Sequence, residues 1–204
     1  MSEGIVLRKV DYKETSYIVT IITEEGFDTL FINGAKKKNS NKLAISEILT
    51  EINYVKSNGK YQRLTEGIVT NDYKNIKSDL FKLSIANVML EYVLTLKDTT
   101  IDHFKLYNLL KSSLEELEIE TYDLELSLFR FELILLSYIG LSPKKEYILE
   151  NYNVSNNLIE SLESIMKGNK IINEIELREF FNKYFEREGG IVLKSKKLYY
   201  ELLR

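Results

Sequence analysis

Ser16-Tyr-Ile-Val-Thr-Ile-Ile-Thr23, a Glu25-Gly26 turn, and Phe27-Asp-Thr-Leu-Phe-Ile-Asn33 decide the fold of the first third of the chain. β-Branched and aromatic residues alternate on both sides of a short turn, which is the pattern of a β-hairpin. Upstream of it, Ile5 and Leu7 alternate with Val6 and Arg8 to give a strand. Beyond it a polar, basic interruption covers residues 34–42, and strand-like segments resume at 48–56 and 61–70 around Ser57-Asn58-Gly59. Asn-Gly between apolar runs is a strong hairpin signal. Five strands in some seventy residues leave no room for a second sheet and predict a small closed barrel, of which the five-stranded OB-fold is the usual nucleic-acid-binding form. An SH3-like barrel is the alternative.

From residue 78 the apolar period becomes helical. Leu80, Leu83, Leu90 and Leu94 share one face, and Phe104, Leu106, Leu109, Leu110, Leu114 and Leu117 continue the pattern. Residues 123–139 are apolar nearly all round, the mark of a central buried helix, and Gly140 and Pro143 end it. Shorter helices are predicted at 157–166 and 173–187, followed by a basic tail, Lys194-Ser-Lys-Lys-Leu198. The expectation is an α+β multi-domain chain: an OB-fold β-barrel over 1–75, an all-α helical domain over 76–204, and a tight junction near 72–78.

Composition narrows the chemistry. The 204 residues are 44% hydrophobic and 29% charged with nine glycines and one proline, so the chain folds. There is no cysteine, which removes disulfides, thiolate nucleophiles, zinc fingers and iron–sulfur clusters and points to a reducing cytoplasm. His103 is the only histidine, so any Ser-His-Asp triad would have to use it; an exposed place in a helix's first turn is its ordinary reading. Gly140-Leu-Ser-Pro-Lys-Lys lacks the glycine spacing of a phosphate-cradling loop, and no cofactor is expected. No export signal or membrane span is legible.

A net charge of −3 makes any nucleic-acid role a local one. Lys36, Lys37, Lys38 and Lys42 stand within seven positions without an acid, whereas residues 115–125 carry six acids and no base. The basic stretch reads either as a solvated loop or as a flexible phosphate-binding one. Arg8, Lys9 and Lys13 could lie on the same barrel face, and Tyr12, Tyr17 and Phe31 are either stacking groups or barrel core. Arg130, inside an apolar helix, needs a carboxylate partner, supplied either by a neighbouring helix or by a bound peptide.

Four blocks resemble the RecO family of recombination mediators. They are the opening Glu3-Gly-Ile-Val-Leu-Arg-Lys-Val-Asp-Tyr-Lys-Glu-Thr-Ser16, the loop Asn33-Gly-Ala-Lys-Lys-Lys38, the helix Phe129-Arg-Phe-Glu-Leu-Ile-Leu-Leu-Ser-Tyr-Ile-Gly140, and Leu193-Lys-Ser-Lys-Lys-Leu198. The resemblance implies a non-enzymatic protein that binds single- and double-stranded DNA and anneals complementary strands. With RecR it would help load RecA onto strands coated with single-stranded DNA-binding protein. Arg8, Lys36, Lys37 and Lys38 would belong to the DNA face, with Lys9, Lys13 and Lys42 added from charge and proximity. Arg130 would contact the acidic C-terminal tail of the single-stranded DNA-binding protein. Many members carry a four-cysteine zinc module that this cysteine-free sequence lacks, and Asn33 and Phe129 stand where the family pattern has basic residues. A protein-interaction adaptor docking an acidic peptide, with little DNA contact, is the alternative expectation.

Overall fold

The computed structural model describes residues 1–37, 40–59, 61–121, 123–167 and 173–203. Strands β1 (Ser2–Tyr12), β2 (Ser16–Thr23), β3 (Gly26–Ile32), β4 (Glu51–Lys56) and β5 (Leu64–Asn71) form one antiparallel sheet in the order β3-β2-β1-β4-β5. Its edges meet where the Phe31 amide donates to the Gln62 carbonyl at 2.9 Å and Phe31 bridges Arg63 in parallel, so the sheet curls closed. Val6, Val19, Ile21, Leu30, Ile32, Ile52, Tyr54 and Leu64 fill the interior, and Ile45 of a short helix, α1 (Lys42–Ile45), joins them. Gly4 lets strands approach closely, because a Cβ there would lie 2.5 Å from Ile21 Cγ2 and 2.6 Å from the Ile22 carbonyl oxygen.

The alternation of β1 puts Val6 in the barrel and Ile5 and Leu7 outside it, and a bulge between Val6 and Arg8 then leaves Arg8 exposed beside buried Leu7. Ile5, Leu7, Ile22, Leu49 and Tyr73 pack into the core of the helical body. The body comprises, among the described residues, α2 (Lys74–Ser78), α3 (Leu80–Thr95), α4 (His103–Ile119), α5 (Leu124–Tyr138), α6 (Lys145–Asn151), α7 (Asn156–Lys167), α8 (Glu174–Gly189) and α9 (Lys196–Glu201). Barrel and body are therefore joined by continuous apolar packing. A polar node also crosses the seam: Lys111 of α4 lies 2.6 Å from both Glu3 of β1 and Glu51 of β4, with Tyr107 donating to Glu3 and Tyr73 to Glu51. Hydrogen bonds from Lys111 and Tyr107 hold the Glu3 carboxyl down to about 2, whereas burial raises that of Glu51.

As expected, α5 is central, and its two buried acids organise its neighbours. Arg178 of α8 grips Glu125 through Nε and Nη2 at 2.7 and 2.8 Å, and the Tyr199 hydroxyl donates to the same carboxylate. Lys196 sits 2.7 Å from Glu132, which also accepts from Tyr92 at 2.8 Å. The segment read as a basic tail is thus a docked helix: Glu91 of α3 accepts the Lys194 and Ser195 amides at 3.1 and 2.7 Å, and Lys196 is buried. The acidic run of 115–125 is likewise built into contacts, since Glu118 takes the Asn75 and Ile76 amides that open α2.

Candidate nucleic-acid interface

The outer face of β1, β2 and β3 away from the helices carries an apolar row, Val10 opposite Ile18 and Ile18 opposite Phe31. Tyr12 meets Phe31 edge-on with ring centres 5.2 Å apart, and Tyr61 from the β4–β5 connection meets Phe31 at 5.9 Å. Val10 is 42% and Tyr61 62% exposed, so the row reaches solvent instead of filling a core. Cations border it. Lys13, in the β1–β2 turn with φ of 53°, lies over the Tyr12 ring at 5.3 Å, and Arg8 and Arg63 are exposed. Stacking surfaces between point charges suit a flexible anionic polymer with planar bases.

The sequence-derived cations divide into two classes. Lys9 is held by both oxygens of Glu47 at 2.8 Å and Lys36 by Asp11 at 2.6 Å, and both ammonium groups lie over Tyr17, at 5.0 and 4.9 Å. Arg8, Lys13, Lys37, Lys42 and Arg63 have no carboxylate partner among the described residues. Lys38 lies outside the described residues. The expected flexible loop is, over residues 33–37, an anchored turn: the Lys36 amide donates to Thr15 at 3.1 Å, and the Lys37 amide to Gly34 at 3.2 Å. This puts the basic turn beside the β1–β2 turn.

Tyr12 and Phe31 face outward, whereas Tyr17 is half-buried against the barrel interior beneath two lysines. Tyr61, Arg63, Val10 and Ile18 were missed by sequence reasoning. Alternation shows that a strand has two faces without showing which closes over the interior, and the Asn-Gly turn reading made Tyr61 part of a strand. That connection is longer, closing where the Ser57 amide meets the Arg63 carbonyl at 2.9 Å.

Two other candidates resolve differently. His103 is half-buried, not exposed; its ring packs edge-on against Phe27 at 5.6 Å and against Gly26, and its Nε2 has no hydrogen-bond partner among the described residues. Arg130 of α5 pairs with Glu116 of α4, the neighbouring-helix arrangement. Among the described residues no helix is long and apolar enough to cross a membrane.

Comparison with known proteins covers the first 147 residues. Residues 1–73 match the family model "Recombination protein O N terminal" and residues 77–147 the model "Recombination protein O C terminal". The chain is 36% identical over 145 residues to the DNA repair protein RecO of Bacillus pumilus, covering 70% of this chain and 56% of that protein. Identity is 33% over 145 residues with RecO of Exiguobacterium sibiricum, covering 70% and 57%, and 32% over 142 residues with that of Clostridium perfringens, covering 68% and 57%. The chain thus spans a little over half the length of the curated relatives it matches. With both family models matched in order, from β1 to the start of α6, this chain belongs to the RecO family.

Proposed function

We propose that the protein is a non-enzymatic DNA repair and recombination mediator that binds DNA on the outer face of its barrel and anneals complementary strands. The observation that carries this is the outward-facing row Val10, Ile18, Phe31, Tyr12 and Tyr61, half-buried at Ile18, Phe31 and Tyr12 and exposed at Val10 and Tyr61, bordered by Arg8, Lys13 and Arg63. The reading of the barrel as an OB-fold rests on the strand order and on the meeting of β3 with the start of β5. In OB-folds the face of strands 2 and 3 and the loops between strands 1 and 2 and between strands 4 and 5 bind oligonucleotides; here those loops supply Lys13, Tyr61 and Arg63. Bases stack on the aromatic row while the cations neutralise phosphates of two strands and lower their mutual repulsion.

The helical body is the proposed docking unit for RecR and for the acidic tail of the single-stranded DNA-binding protein, whose coated strands would receive RecA. A tail carboxylate would have to displace Glu116 from Arg130. The test is fluorescence anisotropy of a labelled single-stranded oligonucleotide at low and physiological salt. Wild type is expected to bind with steep salt dependence, and Tyr61→Ala with Arg63→Ala to weaken binding at least about tenfold, since each stacked base contributes ~1–3 kcal/mol. Unchanged affinity in the double variant refutes the site. Absence of binding at low salt refutes the DNA reading and leaves the adaptor role.

A further inference from the structure

Four charges surround one ring, Tyr17, half-buried against the barrel interior. Asp11 and Tyr17 are directly opposite in the β1–β2 register. Lys36 reaches back across them, its amide fixed on Thr15 and its ammonium 2.6 Å from Asp11 and 4.9 Å from the Tyr17 ring centre. Lys9 lies over the same ring with Glu47 as its counterion. The two carboxylates are not equivalent. Glu47 grips Lys9 with both oxygens, whereas the Asp11 side chain is 78% exposed and covers a lysine that is only 25% exposed. An approaching strand therefore meets an anion, with the cation and the aromatic ring behind it.

We infer that Asp11 is a built-in competitor of the nucleic acid, occupying Lys36 and holding it over Tyr17 until a backbone phosphate takes the carboxylate's place. The inference rests on the proposed DNA-binding role of the barrel and adds a regulatory contact to it. An exposed ion pair is weak and screened by salt, so the exchange is easy. While it lasts, one lysine is removed from the cationic border. Arg8, Lys13, Lys37 and Arg63, which have no carboxylate partners among the described residues, make first contact, and Lys36 joins after the exchange.

The experiment measures binding of a labelled oligothymidylate across a salt series by wild type, Asp11→Asn, Lys36→Met and the double variant. Glu179→Gln, an exposed acid on α8, controls for net charge. Asp11→Asn is expected to bind about 2–5-fold tighter at low salt, the range an exposed ion pair spans. Its plot of log affinity against log salt should be steeper by about 0.7, one additional phosphate contact on a single strand. Lys36→Met should weaken binding, and in that background Asp11→Asn should gain no more than Glu179→Gln does. An equal gain with and without Lys36 overturns the competitor role, as does an unchanged Asp11→Asn affinity; both leave the DNA reading standing if wild type binds and Tyr61→Ala with Arg63→Ala does not. No binding by wild type or Asp11→Asn overturns both.

Discussion

Replacing Lys196 by methionine isolates the energetics of a buried ion pair that docks the last described helix. Its ammonium lies 2.7 Å from Glu132 and 2.8 Å from Asn182, with side-chain exposures of 10% for the lysine and 2% for the glutamate. The Tyr92 and Phe185 rings flank it at 5.2 and 5.8 Å. Methionine keeps most of the apolar stem and removes the charge, so the loss is electrostatic more than steric. Glu132 is left with the Tyr92 hydroxyl and no cation. Removing one partner of a buried pair costs ~3–5 kcal/mol, and methionine's better transfer returns about 1, which sets the expectation at about 3 kcal/mol. In a chain of this length each kcal/mol moves Tm by about 2–4 °C, so the melt monitored by circular dichroism should fall by about 6–12 °C. Adding Glu132→Gln neutralises the stranded carboxylate while preserving an acceptor for Tyr92, and should restore at least half of the loss. A Tm within about 2 °C of wild type, or a double variant no better than Lys196→Met, would contradict an uncompensated buried charge at this site.

Gly4→Ala forces a Cβ against Ile21 Cγ2 at 2.5 Å and the Ile22 carbonyl at 2.6 Å, and backbone cannot yield as a side chain can, so a loss of ~1–3 kcal/mol is expected in urea unfolding; an unshifted midpoint contradicts the close approach. At the seam, Glu3 is depressed to about 2 from 4.5, so its stabilising contribution is present above 4.5 and lost as pH falls from there toward 2. Glu51 is raised and acts with the opposite sign, costing stability at neutral pH and losing that cost as pH falls through its raised value to 4.5. The difference in urea midpoint between Glu51→Gln and wild type should therefore narrow between about pH 7 and 4.5, the variant being less penalised at the high end. Lys111→Met should flatten the acid loss due to Glu3; parallel profiles for wild type and both variants would be incompatible with the node.

The strands were legible because half-buried sheets impose period two, and the long helices because Leu80 to Leu94 and Phe104 to Leu117 keep one apolar face. The short elements were not. Helices α1, α2, α6 and α9 span four to seven residues, too few to show a period, and some depend on distant carboxylates such as Glu118 and Glu91. Lys194, Ser195 and Lys196 look like a solvated tail because their carboxylate partners lie 64 to 104 positions away. At the candidate site, Arg8, Lys13 and Lys37 could be proposed from charge and order. Pairing of Lys9 and Lys36 could not, since it depends on a loop returning over Tyr17. Tyr61 and Arg63 required knowing that the two edges of the sheet meet at Phe31.

The apolar packing that joins barrel to body also sets an order of events during synthesis. The last barrel strand ends at Asn71, but Ile5, Leu7 and Ile22 are covered only when α3 and α4 have formed, and α4 ends at Ile119. At ~5–20 residues per second, the ribosome needs roughly 2–10 s to make that intervening stretch. For that interval the emerging barrel carries a greasy flank with nothing against it, while its interior is already complete in sequence. The first folding unit of this chain is therefore born adhesive, and it is the docking of α3 and α4 that ends its exposure to chaperones and to other nascent chains.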